Sequence, residues 1–178
     1  MSITLIKGEM WAGKTTELFR RLDRARHAGQ STILYKYDRD IRHGESRAFM
    51  ASSHNGIHMD AIPIATFTGI SLPSPGTVIG IDEGQFIDGL VEFAELAANN
   101  GCHVIVAALS SDYKRNLFER IADLIPKCDN EVILHAVCFE CKKDSSFTRR
   151  IVTSTDLEVI GGAEAYRAVC RNCYFKNQ

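Results

Sequence analysis

No stretch of this sequence stays apolar over the roughly 18 residues that a membrane-spanning helix needs, which excludes a helical membrane anchor. Charge of one sign is lacking as well: 21 lysines and arginines stand against 22 aspartates and glutamates, for a net charge of −1. So balanced a chain offers no broad basic surface, and general nucleic-acid affinity is not expected. The amino terminus, Met1-Ser2-Ile3-Thr4-Leu5, runs straight into a strand pattern. A secretory signal would begin with a charged segment and a longer apolar one, so a cytoplasmic location is the expectation. Internal repeats and low-complexity segments are also missing.

What is there suits a globular protein. The 178 residues are 45% hydrophobic, enough for a full core and a small appended module. Ile3–Lys7 is a short apolar strand that enters a glycine loop. From Thr15 to about Ala28 the spacing predicts a helix, with Leu18, Leu22 and Ala25 on one face. Arg20, Arg21, Arg24 and Arg26 fall mostly off that face and read as solvated charges, and Gly29 ends the helix. Ser31–Tyr37 is a β-branched and aromatic strand, so strand, loop, helix and strand follow in the order of a parallel-sheet unit. Asp38–Asp60 is polar and reads as a long functional loop. Thr77–Asp82 and Cys102–Leu109 read as buried strands, Leu90–Asn100 and Phe118–Ile125 as helices, and Glu131–Val137 as a last strand. From Cys138 the character changes to short β-prone pieces, glycines and paired cysteines. The expected fold is an α/β P-loop core with a mostly parallel sheet over residues 1–137, and a small zinc-ribbon-like domain over residues 138–178.

Gly8-Glu9-Met10-Trp11-Ala12-Gly13-Lys14-Thr15 fits the pattern GxxxxGK[ST], after a strand and before a helix. Its glycines let backbone N–H groups converge on phosphate oxygens, and the helix presents its positive end there. In such a loop Lys14 reaches the β- and γ-phosphates and the Thr15 hydroxyl binds Mg²⁺. Asp82 ends an apolar strand, at the sheet edge where ligands bind, and is the natural second partner for Mg²⁺. Glu83 follows it and suits a general base. A base beside a γ-phosphate activates either water or an alcohol, so these residues leave an ATPase and a kinase both open.

Four of the six cysteines form two CxxC pairs, Cys138/Cys141 and Cys170/Cys173. Two such knuckles complete a tetrahedron, which reads as structural Zn²⁺ with no position left for a catalytic water. A redox pair or ordinary buried thiols are the alternatives. Cys102 and Cys128 stand alone, and His135 is expected to be packed or exposed rather than a ligand.

Taken together, GEMWAGKTTEL, IGIDEGQF, VIVAAL, CFEC, EVIGGAEAY and CRNCYF resemble the type II thymidine kinases, the zinc-containing cellular and poxviral class. The resemblance runs from about Ile3 to Lys176, with the motifs in the family's order. It implies transfer of the γ-phosphate of ATP to the 5′-hydroxyl of thymidine, with Glu83 as the base and Lys14, Thr15 and Asp82 at the phosphates and Mg²⁺. Arg42, accompanied by Asp40, would meet phosphates near the acceptor. Met10, Phe86, Leu109, Phe118, Thr148 and Tyr166 would line the thymine pocket, with Tyr113 beside it where the family has Phe. Val159, Ile160 and Gly161 would form a lasso whose backbone reads the base. The resemblance further implies a homotetramer and feedback inhibition by dTTP. Glu9 stands where the family commonly has Pro or Ser, and because a carboxylate repels phosphates it is expected to point outward. The competing reading is a P-loop ATPase with a nucleic-acid-binding zinc ribbon.

Overall fold

The computed structural model describes residues 1–39, 49–53, 55–153 and 164–176. Its centre is a six-stranded sheet in the order β5-β2-β6-β7-β1-β8, and every neighbouring pair in it is parallel. The strands are β1 (Ser2–Gly8), β2 (Thr32–Tyr37), β5 (Ile62–Ile64), β6 (Val78–Asp82), β7 (His103–Leu109) and β8 (Asn130–Leu134). Parallel strands need covering on both faces, and the alternation along each strand supplies an apolar residue to each side. Ile3, Leu5, Ile79, Ile81, Val104 and Val106 face one layer, built from α2 (Leu90–Asn99) and α3 (Glu119–Leu124). Ile6, Leu34, Val78, Ile105 and Ala107 face the other, covered by α1 (Lys14–His27).

The strand order shows what α1 has to do. β1 and β2 are consecutive in the chain but have β7 and β6 between them in the sheet. The helix therefore crosses β7 and β6 and packs on them. Leu18, Phe19, Leu22 and Ala25 are buried in that contact, while Arg20, Arg24 and Arg26 are exposed. The close approach uses Gly80 of β6: a Cβ there would lie 2.7 Å from Leu22 Cδ1.

The expected strands and helices are present, with ends shifted by one to three residues, as fraying and capping allow. Two further features appear, one inside the Asp38–Asp60 segment read as a loop and one just after it. β3 (Met50–Ser52) pairs antiparallel with β4 (His58–Asp60), and Ala51 and Met59 are buried under α1's layer. β5 adds a strand at the sheet edge beside β2. Each is three residues long and contributes at most one buried side chain, too little for a period-two signal to stand out. After β8 the chain builds a separate two-stranded antiparallel sheet, β9 (Phe147–Arg150) with β10 (Tyr166–Val169), followed by the short helix α4 (Arg171–Phe175).

Two predictions follow from this packing. Leu22→Ala removes a fully buried side chain from the helix–sheet contact, and urea titration should show a loss of about 2–5 kcal/mol. Glu17, in the first turn of α1, accepts from Arg20 at 2.6 and 2.8 Å and from Arg21 at 2.8 Å. The Arg20 bond outweighs the opposing effect of burial and holds the carboxyl down at about 2, against an ordinary 4.5. A depressed folded pKa stabilises fully above the ordinary value and ceases to do so as pH falls through the folded one. Glu17→Gln should therefore flatten part of the acid loss of stability between about pH 4.5 and 2, read from thermal melts across that range.

Candidate active site and cysteine cluster

All six strands end on the same side, and the chemistry-bearing residues lie along that carboxyl edge. Gly8 ends β1 beside Leu134 of β8, and a Cβ on Gly8 would sit 2.4 Å from the Leu134 carbonyl oxygen. Backbone atoms cannot move aside as a flexible side chain can, so the strand can enter the loop here only as glycine. Gly13, at φ 83°, takes the left-handed conformation that turns the loop into α1. Trp11 is also left-handed, at φ 63°. Lys14 is the first residue of α1, buried, and its Nζ donates to the Glu9 carbonyl oxygen at 2.9 Å.

Thr15 and Asp82 are 67 residues apart in sequence and adjacent in space: the Thr15 hydroxyl donates to the two Asp82 carboxylate oxygens at 3.1 and 3.2 Å. Asp82 is 3% exposed. Glu83 next to it has φ 53° and ψ 40°, a left-handed conformation that a non-glycine residue adopts only under constraint and that clusters at functional sites. Its carboxylate accepts from Gln85 Nε2 at 2.6 Å.

Gln85 is the residue that sequence reasoning passed over. It is 2% exposed, and while its amide nitrogen holds Glu83, its Oε1 accepts the Leu109 N–H at 3.1 Å. It thus joins the carboxyl ends of β6 and β7. The signal was present in the IDEGQF motif, as a polar residue between Gly84 and Phe86, two positions after the acidic pair.

The residues expected at the thymine pocket divide into two groups. Met10, Ala165 and Tyr166 form a buried cluster with Trp11, Leu109 and Tyr113 packed on it. Thr148 joins them, its Oγ1 accepting the Met10 N–H at 3.2 Å. Arg150 braces the group: its guanidinium lies 3.8 Å from the Tyr113 ring centroid and donates to the Tyr166 hydroxyl at 2.7 Å. Phe86 and Phe118 pair edge to face at 5.5 Å and pack on the main core, with Tyr37 against Phe86. Asp40, Arg42, Val159, Ile160 and Gly161 lie outside the described residues.

The expectation for Glu9 needs correcting. Its carboxylate does turn from the loop, but into the protein: Glu9 is 5% exposed. Oε1 accepts the Ala136 N–H at 2.7 Å and the Ser145 hydroxyl, and His135 Nδ1 lies 3.9 Å from Oε2. Burial of a carboxylate demands such donors, and the segment after β8 supplies them. His135 itself is half exposed, with Nδ1 3.0 Å from the Ser145 carbonyl oxygen.

The four paired cysteines converge. The Sγ atoms of Cys138, Cys141, Cys170 and Cys173 all lie within 4.8 Å of one another. A tetrahedron of thiolates about Zn²⁺ has sulfurs about 3.8 Å apart, from Zn–S bonds of about 2.3 Å. The donor set therefore fits zinc, with four protein ligands. Burial pushes the Cys138 thiol up, yet the backbone amides around it prevail and bring it to about 6. Backbone N–H donation also lowers Cys170, whereas burial and the neighbouring sulfurs raise Cys173. Arg149 ties the knuckles together, donating to the Cys173 carbonyl at 3.0 Å and to Glu140.

The fold and its edge define a class: a parallel α/β protein with a glycine loop and an acidic strand end at the carboxyl edge, joined there to a four-thiol module. Comparison with known proteins is specific within it. The family described as thymidine kinase matches residues 1–174. The thymidine kinase of Myxoma virus (strain Lausanne) is 42% identical over 174 residues, 97% of this chain and 96% of that protein. The cytosolic thymidine kinase of Cricetulus griseus is 43% identical over 175 residues, 98% of this chain and 73% of that one. The human cytosolic thymidine kinase is 42% identical, with the same coverage. The chain belongs to the thymidine kinase family.

Metal analysis of the purified protein should find one zinc per chain. Stripping it with a chelator should lower the melting temperature, since a structural zinc site contributes directly to folding. Cys170→Ser should abolish stoichiometric zinc.

Proposed function

We propose that this protein transfers the γ-phosphate of ATP to the 5′-hydroxyl of thymidine, giving ADP and dTMP. Family membership supports the acceptor. The observation that carries the chemistry is the contact of Thr15 with Asp82 at the start of α1, with Glu83 next to Asp82 in the chain and held by Gln85.

In this reading the loop amides and the amino-terminal end of α1 hold the phosphates. Lys14, held in the structure by the Glu9 carbonyl, reaches toward the β- and γ-phosphates when ATP occupies the loop. The Thr15 hydroxyl and the Asp82 carboxylate are hard oxygen donors placed side by side, suited to Mg²⁺. Bound there, Mg²⁺ would neutralise charge on the β- and γ-phosphate oxygens. Glu83, oriented by Gln85, accepts the proton of the 5′-hydroxyl as that oxygen bonds to the γ-phosphorus and the bond to the bridging oxygen of ADP breaks. Most of the acceleration comes from positioning and charge neutralisation.

Residues 138–178 act as the acceptor-binding unit beside the P-loop unit of residues 1–137. The cysteine cluster pins this unit, with zinc as a structural ion. Met10, Leu109, Thr148 and Tyr166 line the pyrimidine site, with Phe86 and Phe118 at its base. Tyr113 packs beside it, and Val159–Gly161 read the base edge through backbone groups. Arg42 contributes a positive charge near the acceptor. A dTTP molecule could place its base in the acceptor site and its phosphates toward the loop, which supports feedback inhibition. A homotetramer and a cytoplasmic location complete the reading by analogy with the family.

The test is ADP formation with and without thymidine. Thymidine-dependent turnover is expected; turnover independent of thymidine and stimulated by DNA or RNA would overturn the proposal. Glu83→Gln should retain ATP binding and lower kcat by about 10²–10⁴, whereas a near-normal kcat would remove Glu83 from the role of base.

A further inference from the structure

The buried carboxylate of Glu9 has no part in the chemistry just described, and its surroundings give it one. Its side chain and its backbone face in two directions. The side chain leaves the phosphate loop and ends on the Ala136 N–H and the Ser145 hydroxyl, in the segment between β8 and the β9–β10 sheet. The carbonyl of the same residue accepts Lys14 Nζ at 2.9 Å and the Ala12 N–H at 3.3 Å, within the loop. The next residue repeats the link, with Met10 N–H donating to Thr148 of β9. Ser145 is itself fully buried, and its one hydroxyl proton lies between Glu9 Oε1 and the Ala136 carbonyl oxygen, which is 3.0 Å from Oγ.

We infer that Glu9 is a positioning residue that locks the phosphate loop to the cysteine-bearing module, so that the donor loop and the acceptor side are held in one register. A buried polar side chain is costly unless its hydrogen bonds are satisfied. One donor from the module, the Ser145 hydroxyl, and one from the segment leading into it, the Ala136 N–H, meet that need only while the loop sits at the observed place. Displacing the loop would strip the carboxylate of its partners, so the loop position and the module position are energetically joined. Removing the side chain frees the loop, and the carbonyl that orients Lys14 moves with it. The inference rests on the reading that Gly8–Thr15 holds ATP.

The experiment compares wild type, Glu9→Ala, Glu9→Gln and Ser145→Ala, with direct titration of ATP binding, KM and kcat for both substrates, and thermal melts. Glu9→Ala should weaken ATP binding and raise its KM by about tenfold, the scale of one hydrogen bond. Glu9→Gln keeps an oxygen for Ala136 and Ser145 and should restore ATP affinity to within about threefold of wild type, since the geometry rather than the charge holds the loop. Ser145→Ala should move ATP affinity in the same direction as Glu9→Ala, and the two changes should be non-additive because they share one contact. If Glu9→Ala and Ser145→Ala lower the melting temperature but leave ATP affinity unchanged, Glu9 only stabilises the fold and the inference fails. If Glu9→Ala does not fold, Ser145→Ala and Glu9→Gln decide the question by the same affinity readout. Wild-type protein that binds no ATP would instead refute the reading of the loop itself.

Discussion

Six strands that all point the same way bring six carboxyl ends to a single edge, and every functional feature of this protein depends on that alignment. The inner strands of a parallel sheet are buried on both faces, so the layers of α1 on one side and of α2 and α3 on the other are a condition of the edge and not an accessory to it. At that edge the chain turns from strand into glycine loop after β1, into the acidic pair after β6, and into the segment that leads to the cysteine module after β8. The Thr15–Asp82 contact is the local expression of this geometry: a helix start and a strand end meet because α1 passes across β7 and β6 on its way to β2.

The edge also explains where polar groups are buried. Asp82, Gln85 and Glu9 are all nearly inaccessible, and each is satisfied by a group from another element: Thr15, the Leu109 N–H, and Ala136 with Ser145. Buried polar side chains engaged in this way fix relative positions, because moving one element leaves the other with an unpaired group. The glycine loop, the acidic strand end and the cysteine module are thus held by a few specific hydrogen bonds laid over a large apolar core. Among the described residues the module has little apolar core of its own: Cys138, Val169, Cys173 and Tyr174 make up its buried cluster. That scarcity is the physical case for a four-thiolate metal site, which replaces missing hydrophobic burial with coordinate bonds. Arg115 supplements it from outside, its guanidinium lying over the rings of Tyr174 and Phe175 at 5.1 and 4.8 Å.

Much of this was legible in the sequence, for identifiable reasons. Apolar runs such as Cys102–Leu109, bounded by turn residues, signal buried parallel strands whatever their neighbours. The glycines and Lys14 of the Gly8–Thr15 loop form a local pattern, because backbone curvature and reach are local properties. The cysteine pairs are equally local, two residues at the spacing of a metal knuckle, and their convergence follows from shared chemistry. The short strands β3, β4 and β5 escaped notice because each buries at most one side chain and leans on partners distant in the chain.

The sequence by itself determined the parts: the loop with its lysine and threonine, the acidic pair, the four thiols, and a chain with enough apolar residues to cover a sheet on both faces. Tertiary structure alone decided how they are joined. Strand order cannot be read from strand identity, so the passage of α1 across two strands, and with it the pairing of Thr15 and Asp82, appears only in the fold. The same holds for Gln85, whose two bonds reach Glu83 and Leu109, and for Glu9, whose carboxylate turns away from solvent to donors far along the chain. Sequence patterns report periodicity and local conformation, whereas the partner of a buried polar group is chosen by whichever segment the packed core brings within hydrogen-bonding distance.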